Sequence, residues 1–178
     1  MPRPPAKARA YKELTFQQLR SFHETARLGS MAAAARSLGL THPTVREQVL
    51  ALDRQAYATA KRDARCRLLL TAPGVGTITA LAYVAAVERP EEFRNGRAVS
   101  AWVGLTPARY QSGQVDYSGR ISRQGDVHLR TCLYGAANTV LTRSRPDTAL
   151  KRWGLGLKAR LGHRRAVVAV ARKLAVAC

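Results

Sequence analysis

Between Leu129 and Leu141, apolar residues fall at i, i+3, i+4, i+7, i+8, i+11 and i+12: Leu129, Cys132, Leu133, Ala136, Ala137, Val140 and Leu141. At 3.6 residues per turn these share one face, so the spacing predicts a helix over 129–142 with one buried side. A stripe that wide needs other elements to cover it. Val167, Val170, Ala171 and Leu174 repeat the pattern in a helix over 164–177, and 148–161 reads as the helix between them. Residues 67–87 are an apolar run broken at Pro73-Gly74-Val75-Gly76, with a helix starting near Thr77. Residues 88–103 hold a small acidic patch (Glu88, Glu91, Glu92) and then a short helix ending at Trp102 and Val103. Residues 104–128 differ: Gly113, Gly119 and Gly125 space them, and Val115, Tyr117 and Ile121 suit a twisted hairpin. The fold class is mainly α with a small β-hairpin insertion.

The first third is a separate unit. Residues 1–13 are a basic, Pro-rich tail in which Pro2, Pro4 and Pro5 oppose helix, and the sequence predicts disorder there. In 14–53, Leu19, Phe22 and Ala26 fall on one helix face, Gly29 ends that helix and Ser30 caps the next. Ala34, Ala35 and Leu38 supply a short second helix. Gly39 breaks it, Thr41 and Pro43 start a third, and Val45, Val49 and Leu52 give the third its buried face. Two short helices joined by a glycine turn are helix-turn-helix geometry, whose second helix enters the major groove by its first turns. His42, Thr44, Arg46 and Glu47 hold those positions. Leu19-Arg20-x-Phe22, Ala26, Gly29-Ser30, Ala34-Ala35, Leu38, Pro43 and Val45 resemble the DNA-binding segment of LysR-type regulators. That resemblance implies DNA contact, but the sequence after Asp53 shows neither the wing nor the sensor domain of that family. Residues 54–66 read as a helical linker and junction.

Charge narrows the partners. With 30 Lys plus Arg against 11 Asp plus Glu the net charge is +19, and from Phe93 onward 16 cations face only Asp116, Asp126 and Asp147. Such an excess implies a polyanion. No apolar run approaches the roughly 20 residues of a membrane span, so no membrane partner is expected. Three widely spaced cysteines, Cys66, Cys132 and Cys178, point to reduced thiols in a cytoplasm rather than a disulfide framework, and the expected setting is bacterial and nucleoid-associated. His128 and Cys132 lie four apart, but two ligands do not make a zinc site, and no metal site is predicted.

The chemistry gathers in Gly104–Arg130, where a lone serine, Ser112, sits on a glycine-flexed turn among Arg109, Tyr110, Arg120, Arg123 and Arg130. A serine hydroxyl needs a base or metal to become a nucleophile, and guanidinium groups offset charge growing on an attacked phosphate. Upstream, Gly74 and Gly76 free the backbone to turn tightly, so that N–H groups at the next helix start can face a phosphate, as in a helix-hairpin-helix. In the last helix Arg165 and Arg172 share a face that can track phosphates.

Four blocks, LLLTAPGVGTITA, WVGLTPARYQSG, GRISRQGDVHLRTCLYGAA and RRAVVAVARKLAV, resemble in order the C-terminal domain of insertion-sequence transposases of the one-ten/one-sixteen class, the bridge-RNA-guided recombinases. The resemblance implies a transposase domain over 67–178, with Ser112 at the position of a nucleophile that joins covalently to a DNA phosphate. It implies DNA and a guide RNA as partners, and magnesium held by a ribonuclease-H-like carboxylate domain that this sequence does not show; a homo-oligomer is a separate expectation. No cofactor is expected on this chain itself. The uncapped end at Ala175–Cys178 reads as a truncation, and the join near Cys66 as a fusion, so the expectation is a DNA-binding chain inactive alone. Two alternatives stand beside it: a non-catalytic helix-turn-helix DNA-binding protein and an RNA-binding module.

Overall fold

The computed structural model describes residues 14–112, 115–143 and 147–177. The chain is mainly α-helical and divides between Arg62 and Asp63 into two compact units. The basic tail expected over 1–13 lies outside the described residues.

The first unit is three helices, α1 (Phe16–Leu28), α2 (Met31–Leu38) and α3 (His42–Arg62). Local chemistry sets each boundary. Thr15 caps α1 in a capping box with Gln18, each side chain meeting the other's backbone N–H. Gly29, at φ 65°, ends it in the left-handed region. Ser30 accepts from the Ala33 N–H to start α2. Gly39 then closes α2 in a Schellman motif, with Leu40 N–H on Ala35 O at 2.9 Å and Gly39 N–H on Arg36 O at 3.3 Å. Thr41 caps α3 through the Thr44 N–H. Val45 and Val49 of α3 pack on Ala34 and Ala35 of α2, with Met31 against them.

The stripe expected on α1 is reversed. Phe16, Leu19 and Phe22 are 78%, 49% and 52% exposed, and Ala26 is exposed with them, whereas Ser21 is fully buried. The reason is a polar seam. Ser21 Oγ donates to Gln48 Oε1 of α3, and Thr25 Oγ1 donates back to Ser21 O at 2.7 Å.

The second unit opens with α4 (Ala64–Leu69), capped by Asp63, whose carboxylate accepts from the N–H groups of Arg65 and Cys66. After a turn come α5 (Thr77–Ala86), a 3₁₀ turn (Pro90–Glu92), α6 (Gly96–Trp102), the antiparallel hairpin β1 (Pro107–Ser112) and β2 (Val115–Ile121), α7 (Val127–Thr142), α8 (Ala149–Leu161) and α9 (His163–Ala177). α7 and α9 are the centre. α7 buries Leu129, Leu133, Ala136, Ala137, Val140 and Leu141, and α9 buries Ala166, Val167, Val170, Ala171, Leu174 and Ala175. α9 packs on α6, α7 and α8, and α5 packs on α7 and α4. Close backbone approach fixes two junctions. A methyl group on Gly154 of α8 would meet Leu141 and Val170 side chains at 2.7 Å, and one on Gly96 would meet Val176 O at 2.5 Å. Burying these stripes removes some dozen aliphatic side chains from water, at roughly 1.5–3 kcal/mol for each large one. Among the described residues no helix is long and apolar enough to cross a membrane.

Candidate nucleic-acid interface

In the first unit, the residues read as major-groove contacts open α3. His42, Thr44, Arg46 and Glu47 are all exposed, while Val45 between them is buried in the core, so the first turns of α3 present polar side chains outward. Two of these have local partners. Thr44 Oγ1 lies 2.8 Å from Thr41 Oγ1, and Glu47 pairs with Arg54. His42 and Arg46, one turn apart, are the outward pair that remains.

In the second unit, Ser112 is the last residue of β1 and is exposed. Its backbone pairs with Val115, and Gln111 pairs with Asp116, Tyr110 with Tyr117 and Arg109 with Ser118. An irregularity between Pro107 and Arg109 shifts the register near the body. The hairpin thus holds Arg109 three residues before Ser112 on the same strand. Arg120 is on β2 and exposed, and Arg123 is exposed in the segment that follows.

The base of this hairpin is tightly built. α6 ends in a Schellman motif, with Leu105 N–H on Ser100 O at 3.0 Å and Gly104 N–H on Ala101 O at 2.9 Å. Gly104 takes φ 76°, and a methyl group there would sit 2.1 Å from Gln124 O. Gly125 takes φ 87°, and a methyl group there would sit 1.8 Å from Trp102 O. Across the base, Ser122 N–H donates to Thr106 O at 2.9 Å and Arg123 N–H to Gly104 O at 3.1 Å. Arg123 itself has φ 57°, the one non-glycine residue with positive φ among the described residues. That conformation costs on the order of 1 kcal/mol and persists where surrounding bonds over-determine it.

Arg130, expected from the sequence to be a phosphate contact, has backbone partners of its own. Its Nη1 donates to Val103 O at 2.8 Å and to Gln124 O at 3.2 Å, so one nitrogen of the guanidinium is bound to the protein's own backbone. Asp126, one of the acids near the serine, caps α7 through the Leu129 N–H at 2.5 Å. Among the described residues no three His, Cys, Asp or Glu side chains come together to hold a metal ion, so these residues do not fit a magnesium centre. His128 Nε2 and Cys132 Sγ are 3.8 Å apart. Burial, and then Asp126, push the Cys132 thiol up from its ordinary value. Burial likewise pushes Cys66 up, with Asp63 adding to it and Arg65 opposing. Neither thiol has the depressed pKa of a nucleophile.

The Gly74–Gly76 turn does two different things. Gly74 (φ 77°) lies against α7, where a methyl group would meet Ala136 O at 2.5 Å and Val140 Cγ2 at 2.6 Å. Gly76 is exposed, with open space around it, and precedes α5, which has no side-chain cap. Gly74 therefore serves packing, and the uncapped N–H groups follow Gly76.

Arg165 and Arg172 are both exposed on α9. Periodicity alone does not single out the other cations exposed on these helices: Arg152, Lys158, Arg160, Arg164 and Lys173 are exposed on α8 and α9 as well, Arg152 paired with Asp147. The signal for them in the sequence is the absence of any Asp or Glu after Asp147. Lys173 Nζ of α9 lies 4.2 Å from the ring centroid of Trp153 on α8.

Comparison with known proteins finds a family model within the second unit. Residues 66–152 match the model of the Transposase IS116/IS110/IS902 family. This segment is a transposase domain of that family. The transposase domain has named relatives of the same kind. The chain is 37% identical over 73% of its length to a "Probable family 20 transposase" of Pseudomonas aeruginosa, covering 39% of that protein. It is 36% identical over 68% of its length to the "Transposase for insertion sequence element IS1111A" of Coxiella burnetii, covering 34% of it. It is 32% identical over 72% of its length to a "Putative transposase y4pF/y4sB" of Sinorhizobium fredii, covering 34% of it. The chain thus spans little more than a third of these relatives. Ahead of the transposase domain, and overlapping its start, residues 16–74 match the bacterial regulatory helix-turn-helix protein, lysR family. That match includes α1 to α3.

Proposed function

We propose that this chain acts in DNA transposition, with Ser112 as the nucleophile on a DNA phosphate. One observation carries the reading: within a transposase-family domain, Ser112 stands exposed at the end of β1, on a hairpin whose base is rigidly tied to the helical body. In the reaction the Ser112 Oγ–phosphorus bond forms as one ester P–O bond of the phosphodiester breaks. The serine proton leaves to a base, and the departing DNA oxygen takes a proton to become a free hydroxyl. A second DNA hydroxyl reverses the step and joins a new strand, with no net oxidation. Arg109, Arg120 and Arg123 are positioned along the chain to offset charge on the phosphate oxygens. A base, and magnesium where it takes part, would be held by the carboxylates of a ribonuclease-H-like domain. DNA is held by the outward face of α3 and by the basic surface of α8 and α9. A guide RNA and a homo-oligomeric assembly complete this proposal.

The test is a covalent adduct. The chain is incubated with element-end DNA, guide RNA and magnesium, with and without a ribonuclease-H-like domain, and run on denaturing gels. An adduct that disappears in Ser112→Ala supports the nucleophile. No adduct in either arm removes it and leaves the second reading, a non-catalytic DNA-binding protein, which the exposed His42 and Arg46 on α3 favour. Competition between duplex DNA and structured RNA at fixed salt decides which polymer the basic surface prefers.

A further inference from the structure

The hairpin bearing Ser112 is joined to the helical body by residues 103–106 before β1 and residues 122–126 after β2. Both end on one side chain of α7. Arg130 Nη1 donates to Val103 O in the first segment and to Gln124 O in the second. Val103 caps the C-terminus of α6, where end carbonyls lack helical partners and a nearby cation is favoured. A guanidinium is planar, permanently charged and rich in donors, so it can hold two backbone segments at a fixed separation. The segments also pass backbone to backbone at Gly104 and Gly125, where no side chain fits. Two cross-strand bonds, Ser122 to Thr106 and Arg123 to Gly104, lie immediately above.

We propose that Arg130 is a positioning residue: anchored on α7, it clasps both feet of the hairpin and so fixes where Ser112 stands relative to bound DNA. Its consequence for reaction rests on Ser112 being the nucleophile, whereas its mechanical part does not.

Amide hydrogen exchange on the full chain tests the clasp in Arg130→Ala and Arg130→Lys. In Arg130→Ala, exchange in β1 and β2 rises by about tenfold or more while the buried turns of α7 and α9 keep their protection. Arg130→Lys, with a single compact ammonium, restores part of it. Equal loosening of hairpin and helices, or loss of folding in both variants, overturns the proposal, because Arg130 then holds the fold and not the hairpin. Unchanged hairpin exchange overturns it too. Where the wild-type chain forms the Ser112 adduct, Arg130→Ala slows adduct formation at saturating DNA and leaves the half-saturating DNA concentration unchanged. A rise in that concentration alone makes Arg130 a DNA contact and overturns the clasp. Where the wild-type chain forms no adduct, the serine reading fails on its own, and the exchange pattern still decides.

Discussion

An alanine methyl at position 125 would sit 1.8 Å from the carbonyl oxygen of Trp102, on a backbone held at φ 87°. Steric overlap and a left-handed conformation act together there, so Gly125→Ala should destabilise by more than about 2 kcal/mol in urea unfolding. Gly135 is the opposite case. It lies mid-way along α7, and a methyl group added there would meet nothing within 4 Å, so Gly135→Ala should raise stability by about 0.5–1 kcal/mol. Equal effects at the two positions would mean that the hairpin base is not packed as described. Asp63 adds a pH dependence. The Cys66 N–H holds its carboxylate below the ordinary 3.8, helped by the Arg65 N–H and guanidinium against the opposing effect of burial. A depressed folded pKa means stability that is present above the unfolded value and fades as pH falls through the lower folded one. Asp63→Asn keeps a good cap but cannot titrate, so its unfolding midpoint should depend less on pH below about 4 than that of the wild type.

At the scale of elements, local signals are the legible ones. Ser30, Gly39 and Thr41 bound α2 and α3 where their types predict, and the seven-point stripe from Leu129 to Leu141 is α7. What the sequence does not reveal depends on partners distant along the chain. Leu19, Phe22 and Ala26 share a helix face by spacing, but the face of α1 that packs is chosen by Ser21 meeting Gln48, 27 residues away. Gly74 reads as a backbone turn for a phosphate, and only the fold shows α7 lying against it. Arg130 reads as one more cation beside a serine, and only the end of α6 reveals its partners. Ser112 stands out by its isolation among arginines and by family likeness, and the structure adds its exposure on a hairpin. The reversed face of α1 makes a direct prediction. Phe22→Ala should cost less than about 1 kcal/mol, because the ring is half exposed, where a buried phenylalanine would cost roughly 3–5. Ser21→Ala should cost about 1 kcal/mol or more by stranding Gln48. Urea midpoints of the two variants check the order, and a larger loss in Phe22→Ala would restore the face expected from spacing.

For the whole molecule, charge sets how any nucleic acid is held. A chain of net charge +19 that meets a polyanion displaces counterions, so affinity should fall steeply with salt. The exposed cations divide into two kinds by setting. Arg46 is exposed in the opening turns of α3, in a unit matching the lysR-family helix-turn-helix, and on the proposed function it faces base edges. Arg165 and Arg172 lie exposed on α9 in an acid-free stretch, and on the proposed function they track phosphates. Removing a base contact changes preference among sequences, and removing a phosphate contact changes the salt slope. Arg165→Ala and Arg172→Ala should therefore each lower the slope of log K against log salt by about one and weaken binding to all duplexes alike. Arg46→Ala should narrow the gap between preferred and random duplexes by roughly 1–3 kcal/mol. Fluorescence anisotropy titrations of each variant, at several salt concentrations and on both kinds of duplex, separate the two effects. A slope untouched by both α9 variants would remove α9 from the DNA surface. An unchanged preference in Arg46→Ala would show that α3 contributes fold and not sequence readout, leaving the transposase domain to hold DNA by its backbone.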